Sequence, residues 1–176
     1  MERWEAIAGR AAEVLRDYER RTGRPAFKPG RNVAEVIEDI ARECFGLEVL
    51  DSSWLEEGVL GELDLEGKKI SVREGLEPQR RAFTVAHDVG LGALAHAPRL
   101  VDLEEYVDEQ VGLDKLEAQD GVYQAYDSRD LLEIEANLFA AELLAPTERV
   151  LEVVEEVPGW TAEDLAERFG ISERPC

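Results

Sequence analysis

The order of hydropathy patterns along the chain predicts an α+β domain, mainly helical, with a small antiparallel three-stranded sheet packed on a central helix. Three observations carry this expectation. Long stretches repeat apolar residues every three to four positions with charges between them. One stretch, residues 59–72, alternates apolar and polar instead, around Glu66-Gly67. Helical stretches flank that alternation on both sides, which segregates helices from strands along the chain. At 176 residues, 44% of them hydrophobic, the chain has the size and apolar content of a single domain, residues 1–176.

Taken in order, residues 2–22 place Ile7, Ala11, Val14, Leu15 and Tyr18 on one helical face, and Gly23 and Pro25 end it. Residues 24–31 read as a Pro/Gly linker. Asn32 is the expected N-cap of a second helix carrying Val33, Val36, Ile37, Ile40 and Ala41, which Gly46 ends. Leu47, Val49 and Leu50 read as a short strand. In GVLGELDLEGKKISVRE, Val59, Gly61, Leu63 and Leu65 alternate with polar neighbours, as do Ile70 and Val72. This predicts a β-hairpin turning at Glu66-Gly67, where glycine's freedom at positive φ would serve. Pro78 suits the first turn of a helix through His87 towards Gly92. Residues 97–127 are acidic and weakly periodic, which predicts a surface insertion, partly helical. A strong helical pattern resumes at Ser128 or Asp130 and closes at Pro146, with a further helix near 147–156. In the short C-terminal helical element 157–176, Thr161 and Asp164 form a capping pair at the last helix. Trp4, Trp54 and Trp160 are expected in the core or between packed elements.

Charge excludes several functions. The chain has forty Asp and Glu against twenty Lys and Arg, a net charge of −20. Nucleic-acid affinity comes from cations that neutralise phosphates, so direct nucleic-acid binding is not expected, and an anionic membrane surface would repel the chain. The surplus acid favours solubility and would steer a basic partner. There is no apolar run of roughly eighteen residues to span a bilayer. The first residues form a charged amphipathic stretch and not a signal peptide, so cytoplasmic residence is the expectation. Two cysteines, Cys44 and Cys176, make no disulfide framework and no metal-ligand pair; Cys44 reads as a small apolar residue at a helix end.

The chemistry concentrates in RRAFTVAHDVGLGALAH, residues 80–96. A zinc peptidase helix is written H-E-x-x-H, with two histidines one turn apart on the metal and a glutamate activating its water. Here His87 holds the first ligand position, Asp88 replaces the glutamate, and Leu91 replaces the second histidine. Leucine has no lone pair to offer a cation. The other histidine, His96, would point to the opposite side of a continuous helix. Asp88 is one methylene shorter than glutamate, and a displacement of about 1 Å can cost a rate factor of roughly a hundred.

Residues 80–96 resemble the signature of the ImmA/IrrE family of zinc metallopeptidases, matching it at Arg81, Phe83, Thr84, Ala86, His87 and Gly90. Glu135-Ala136-Asn137-Leu138-Phe139-Ala140 through Leu143-Leu144-Ala145-Pro146 resembles a second family segment. The hairpin run and LAERFGIS resemble further parts, so the likeness covers nearly the whole chain. It implies a zincin-like domain and assigns the third zinc ligand to Glu135, the better inward candidate of Glu133 and Glu135. It also implies a regulatory setting, since members act on helix-turn-helix repressors. The departures at Asp88 and Leu91 point to a proteolytically inactive protein-binding module. In that reading His87 and Glu135 are remnant ligand positions, Asp88 is a remnant of the general base, and no cofactor is bound. The alternative is an active zinc-dependent endopeptidase using His87, Glu135 and His96, with Asp88 as base. Members often continue past the closing helix, so a further region beyond Cys176 is a third possibility.

Overall fold

The computed structural model describes residues 2–27, 32–94, 104–106, 128–156 and 159–171. Helices α1 (Glu2–Thr22) and α2 (Val33–Phe45) are followed by strands β1 (Glu48–Ser52), β2 (Val59–Asp64) and β3 (Lys69–Arg73). Then come α3 (Pro78–Leu94), β4 (Glu104–Tyr106), α4 (Ser128–Leu144), α5 (Thr147–Glu156) and α6 (Ala162–Phe169).

Local chemistry sets most of these boundaries. The Asn32 side chain accepts from the Ala34 N–H at 3.0 Å, while Gly46, at φ 66°, turns its own N–H back onto the end of α2. Thr161 and Asp164 form a reciprocal capping box at the start of α6. The buried carboxylate of Glu142 accepts from the backbone N–H of Thr147 at 3.2 Å and from its hydroxyl, fastening the start of α5 to the end of α4.

The α+β class holds, and the sheet is mixed. Strand order is β1-β3-β2-β4: β2 and β3 form the antiparallel hairpin, β1 joins β3 in parallel, and β4 extends the β2 edge antiparallel. Alternation along a strand tells which face is buried but not which strand lies alongside or in which direction it runs. Within the expected 97–127 insertion, the described residues 104–106 form this added strand, and the rest of the insertion lies outside the described residues. At the hairpin turn the residue with positive φ is Lys68, at 52°, and not Gly67. Gly67 answers a different need. Its N–H donates to Asp64 Oδ1 at 2.7 Å, and a Cβ there would lie 2.9 Å from Asp64 Cγ.

The core gathers on α3, which packs against α2 and α4 on one side and against β2 and β3 on the other. Tyr18, Ile37, Ile40, Ile70, Val72, Val85, Val89, Phe139 and Leu143 are fully buried. Arg81 joins three elements, donating to Glu38 of α2 at 2.6 Å and to Asp51 of β1. Trp54 departs from the expectation of a packed residue, with 91% of it exposed. Its loop is held by the Arg73 guanidinium, which donates to the carbonyls of Val59, Leu55 and Glu56, so the backbone is satisfied without burying the indole. Trp4 is also exposed.

Two glycines of α3 make opposite demands. A Cβ at Gly90 would lie 3.0 Å from the Phe139 ring and 3.2 Å from the backbone oxygen of Ala136, while at Gly92 the nearest atoms, of Leu63 and Leu65, are 3.8 Å away. In a helix interior alanine is favoured over glycine by about 0.5–1 kcal/mol, whereas overpacking costs about 1–3 kcal/mol. Chemical denaturation should therefore show Gly92→Ala stabilised by about 0.5 kcal/mol and Gly90→Ala destabilised by about 1 kcal/mol. Equal effects at both positions would contradict the α3–α4 contact.

Candidate functional site

The site forms where α3 and α4 touch. One turn before Gly90, His87 is buried, 1% exposed, and its Nε2 stands 3.1 Å from Oε2 of Glu133 on α4. Sequence reasoning assigned the carboxylate here to Glu135. The structure sets Glu133 against His87, with the half-buried Glu135 two residues further along and about 200° further around the helix. Both glutamates flank the buried stripe of Ala136, Phe139, Ala140 and Leu143, one on each side. Periodicity does not show that Glu133 meets His87; the crossing of α3 over α4 does.

Asp88 lies at the other nitrogen of the imidazole, its Oδ1 3.8 Å from His87 Nδ1. The residue is wholly buried, and neither carboxylate oxygen has a hydrogen-bond partner among the described residues. Burial raises its pKa above the ordinary carboxylate value, and the negative charges of Glu133 and Glu62 push the same way, while His87 opposes them. Thr84, one turn earlier, is equally buried, and its hydroxyl also lacks a partner among the described residues. Leu91, one turn after His87, is 3% exposed and belongs to the hydrophobic core. Helix α3 runs unbroken through Gly90 and Gly92 to Leu94, and His96 lies outside the described residues.

Among the described residues, the side chains shown to meet here do not complete the donor set of a catalytic zinc, which takes three protein ligands and a water. Nε2 of His87 and the Glu133 carboxylate supply two donors, and the position that should supply the third from α3 is the isobutyl group of Leu91. Asp88 cannot make up the set, because it faces Nδ1 while Glu133 faces Nε2. Among the described residues no group of three His, Cys, Asp or Glu side chains is gathered around one point.

Residues 42–174 match the family model of the IrrE N-terminal-like domain, a peptidase family. The chain belongs to this family. The IrrE-like match takes in the sheet, the His87 helix and the helices that follow, whereas α1 and most of α2 precede it. Among solved structures, a chain described as a Mycobacterium tuberculosis transcriptional regulator is similar in fold, with a TM-score of 0.61 at 17% identity. The likeness covers 94% of this chain and 44% of that one, so this chain spans less than half of the regulator's length. A search of curated proteins finds no match. In this IrrE-like domain the signature residues Arg81, Thr84, His87 and Gly90 all lie on α3, and the departures, Asp88 and Leu91, are buried beside them.

Burial of Asp88 makes stability depend on pH with a definite sign. Its folded-state pKa lies above the ordinary value of 3.8, so the native state holds the proton more tightly than the unfolded chain. The contribution is complete below 3.8 and is lost as pH rises through the folded-state value. Asp88→Asn cannot ionise and escapes that loss. Urea titrations should find it more stable than the parent at neutral pH by roughly 1–3 kcal/mol, with the gap narrowing in acid. A gap that stays constant with pH would contradict a buried carboxylate whose pKa is raised by desolvation.

Proposed function

We propose that this chain is a proteolytically silent IrrE-like domain that serves as a regulatory protein-binding module, with a basic helix-turn-helix repressor as its partner. The observation that carries the silence is Leu91. It occupies the second ligand position of the signature helix, is buried at 3% exposure, and cannot donate to a cation. Asp88 compounds this, since its carboxylate is shorter than glutamate's, buried, and turned to the nitrogen of His87 away from Glu133. A general base must reach the proton it removes, and that placement keeps Asp88 from a water held between His87 and Glu133. What remains at the α3–α4 crossing is a histidine–carboxylate pair.

The choice of partner rests on charge and family. A chain with net charge −20 attracts cationic proteins and repels phosphate-rich surfaces. The fold it shares with a transcriptional regulator supports a regulatory setting. A DNA-binding repressor carries the basic surface that this acidic chain would complement.

Elemental analysis of the purified protein tests the silence. The parent should carry well under one zinc per chain, and Leu91→His combined with Asp88→Glu should bring uptake to about one, held by His87, Glu133 and the new imidazole. Stoichiometric zinc in the parent, lost on His87→Ala, would establish instead the active endopeptidase, with His96 or Glu135 completing the site. Co-expression tests the partner: a helix-turn-helix repressor should co-purify intact, and its retention should weaken steeply between low and high salt. A repressor recovered only as cleaved fragments, or one that never co-purifies, would refute the binding reading.

A further inference from the structure

Helix α5 is amphipathic, yet none of its ten residues is buried. Placed at about 100° per residue, Val153, Val150, Val154 and Leu151 form one continuous apolar face. Half of it stays exposed. Val150 and Val153 are half-buried against the body, whereas Leu151 is 55% exposed and Val154 39% exposed. The outer edge of this uncovered half is lined by Glu155 and Glu148, and the helix as a whole carries four glutamates against one arginine. That arginine, Arg149, is engaged with Glu152 at 2.7 Å on the far side of the helix. The start of α5 is pinned by Glu142, so the face is presented in a fixed position.

We propose that Leu151 and Val154 are the docking surface for an amphipathic helix of the partner, one whose apolar seam is flanked by lysine or arginine. This rests on the protein-binding reading above and names where and how that binding occurs. The pattern is that of one strand of a paired-helix interface, in which apolar side chains interlock and flanking charges select the partner. Glutamates at the edge select cations. They also select against other occupants. A second copy of this chain would set Glu148 and Glu155 against each other's like charges, and an anionic lipid surface or nucleic acid would be repelled. An uncovered leucine and valine give the partner apolar area to bury, and the glutamates fix its orientation.

The test uses two synthetic helical peptides with the same leucine seam, one flanked by lysines and one by glutamates, with binding to the full chain read by fluorescence anisotropy. The lysine-flanked peptide should bind and the glutamate-flanked one should not. Leu151→Ser combined with Val154→Ser leaves the charge unchanged and should weaken binding about tenfold or more. Glu148→Lys combined with Glu155→Lys should reverse the preference between the peptides, which no loss of folding could mimic. Equal binding by the Ser variant, or no reversal by the Lys variant, would overturn the proposal. So would sedimentation showing a dimer of the chain alone that the Ser variant loses, because the occupant would then be a second copy. None of these outcomes depends on zinc content or on repressor cleavage, so failure here leaves the silent-peptidase reading to its own test.

Discussion

The structure depends on one close approach: the backbone of α3 at Gly90 lies directly on Phe139 and the Ala136 carbonyl of α4. A side chain at that position would force the helices apart. Because the gap is filled by glycine, the ring of Phe139 is fully buried and α4 sits deep against α3. One turn back along both helices, the same approach brings His87 to Glu133. The remaining signature residues follow from this contact. Arg81 ties the start of α3 to α2 and β1, and the sheet closes over its other face. The contact between the two signature helices is thus a packing solution as well as the frame of the candidate site.

Two substitutions in that architecture have opposite energetic signs. Burying Leu91 contributes about 1.5–3 kcal/mol of apolar transfer. Burying Asp88, which has no hydrogen-bond partner among the described residues, costs about 1–3 kcal/mol, eased by protonation. The two effects are of similar size, so the fold tolerates a carboxylate in its core close to a buried leucine. Burial is the main cause of the raised Asp88 pKa; His87 opposes it, and the negative charges of Glu133 and Glu62 add smaller upward pushes.

The surface continues the theme of excess acid. Trp54 stands almost fully exposed on a loop clamped by Arg73, and α5 exposes Leu151 and Val154 beside glutamates. Exposed apolar groups held in ordered surroundings and edged by charge are the raw material of protein interfaces, where a few large side chains carry most of the binding energy. No helix among the described residues is long and apolar enough to cross a membrane, so these groups are not part of a bilayer-spanning helix.

By itself the sequence determined every element that depends on neighbours within a few positions. The boundaries of α1 and α2, the Asn32 and Thr161 caps, the hairpin, and the continuous α3 and α4 were all legible, because caps and periodicity act over one or two helical turns. The family signature was legible for the same reason, as were the departures from it at Asp88 and Leu91. Tertiary structure alone decided the questions that span the chain. It set β1 parallel to β3, put the positive φ on Lys68 while Asp64 crowded Gly67, and left Trp54 in solvent. It also brought Glu133 to His87. The two glutamates flank the same buried stripe, so their local patterns are nearly equivalent, and only the line along which another helix crosses α4 decides what each meets.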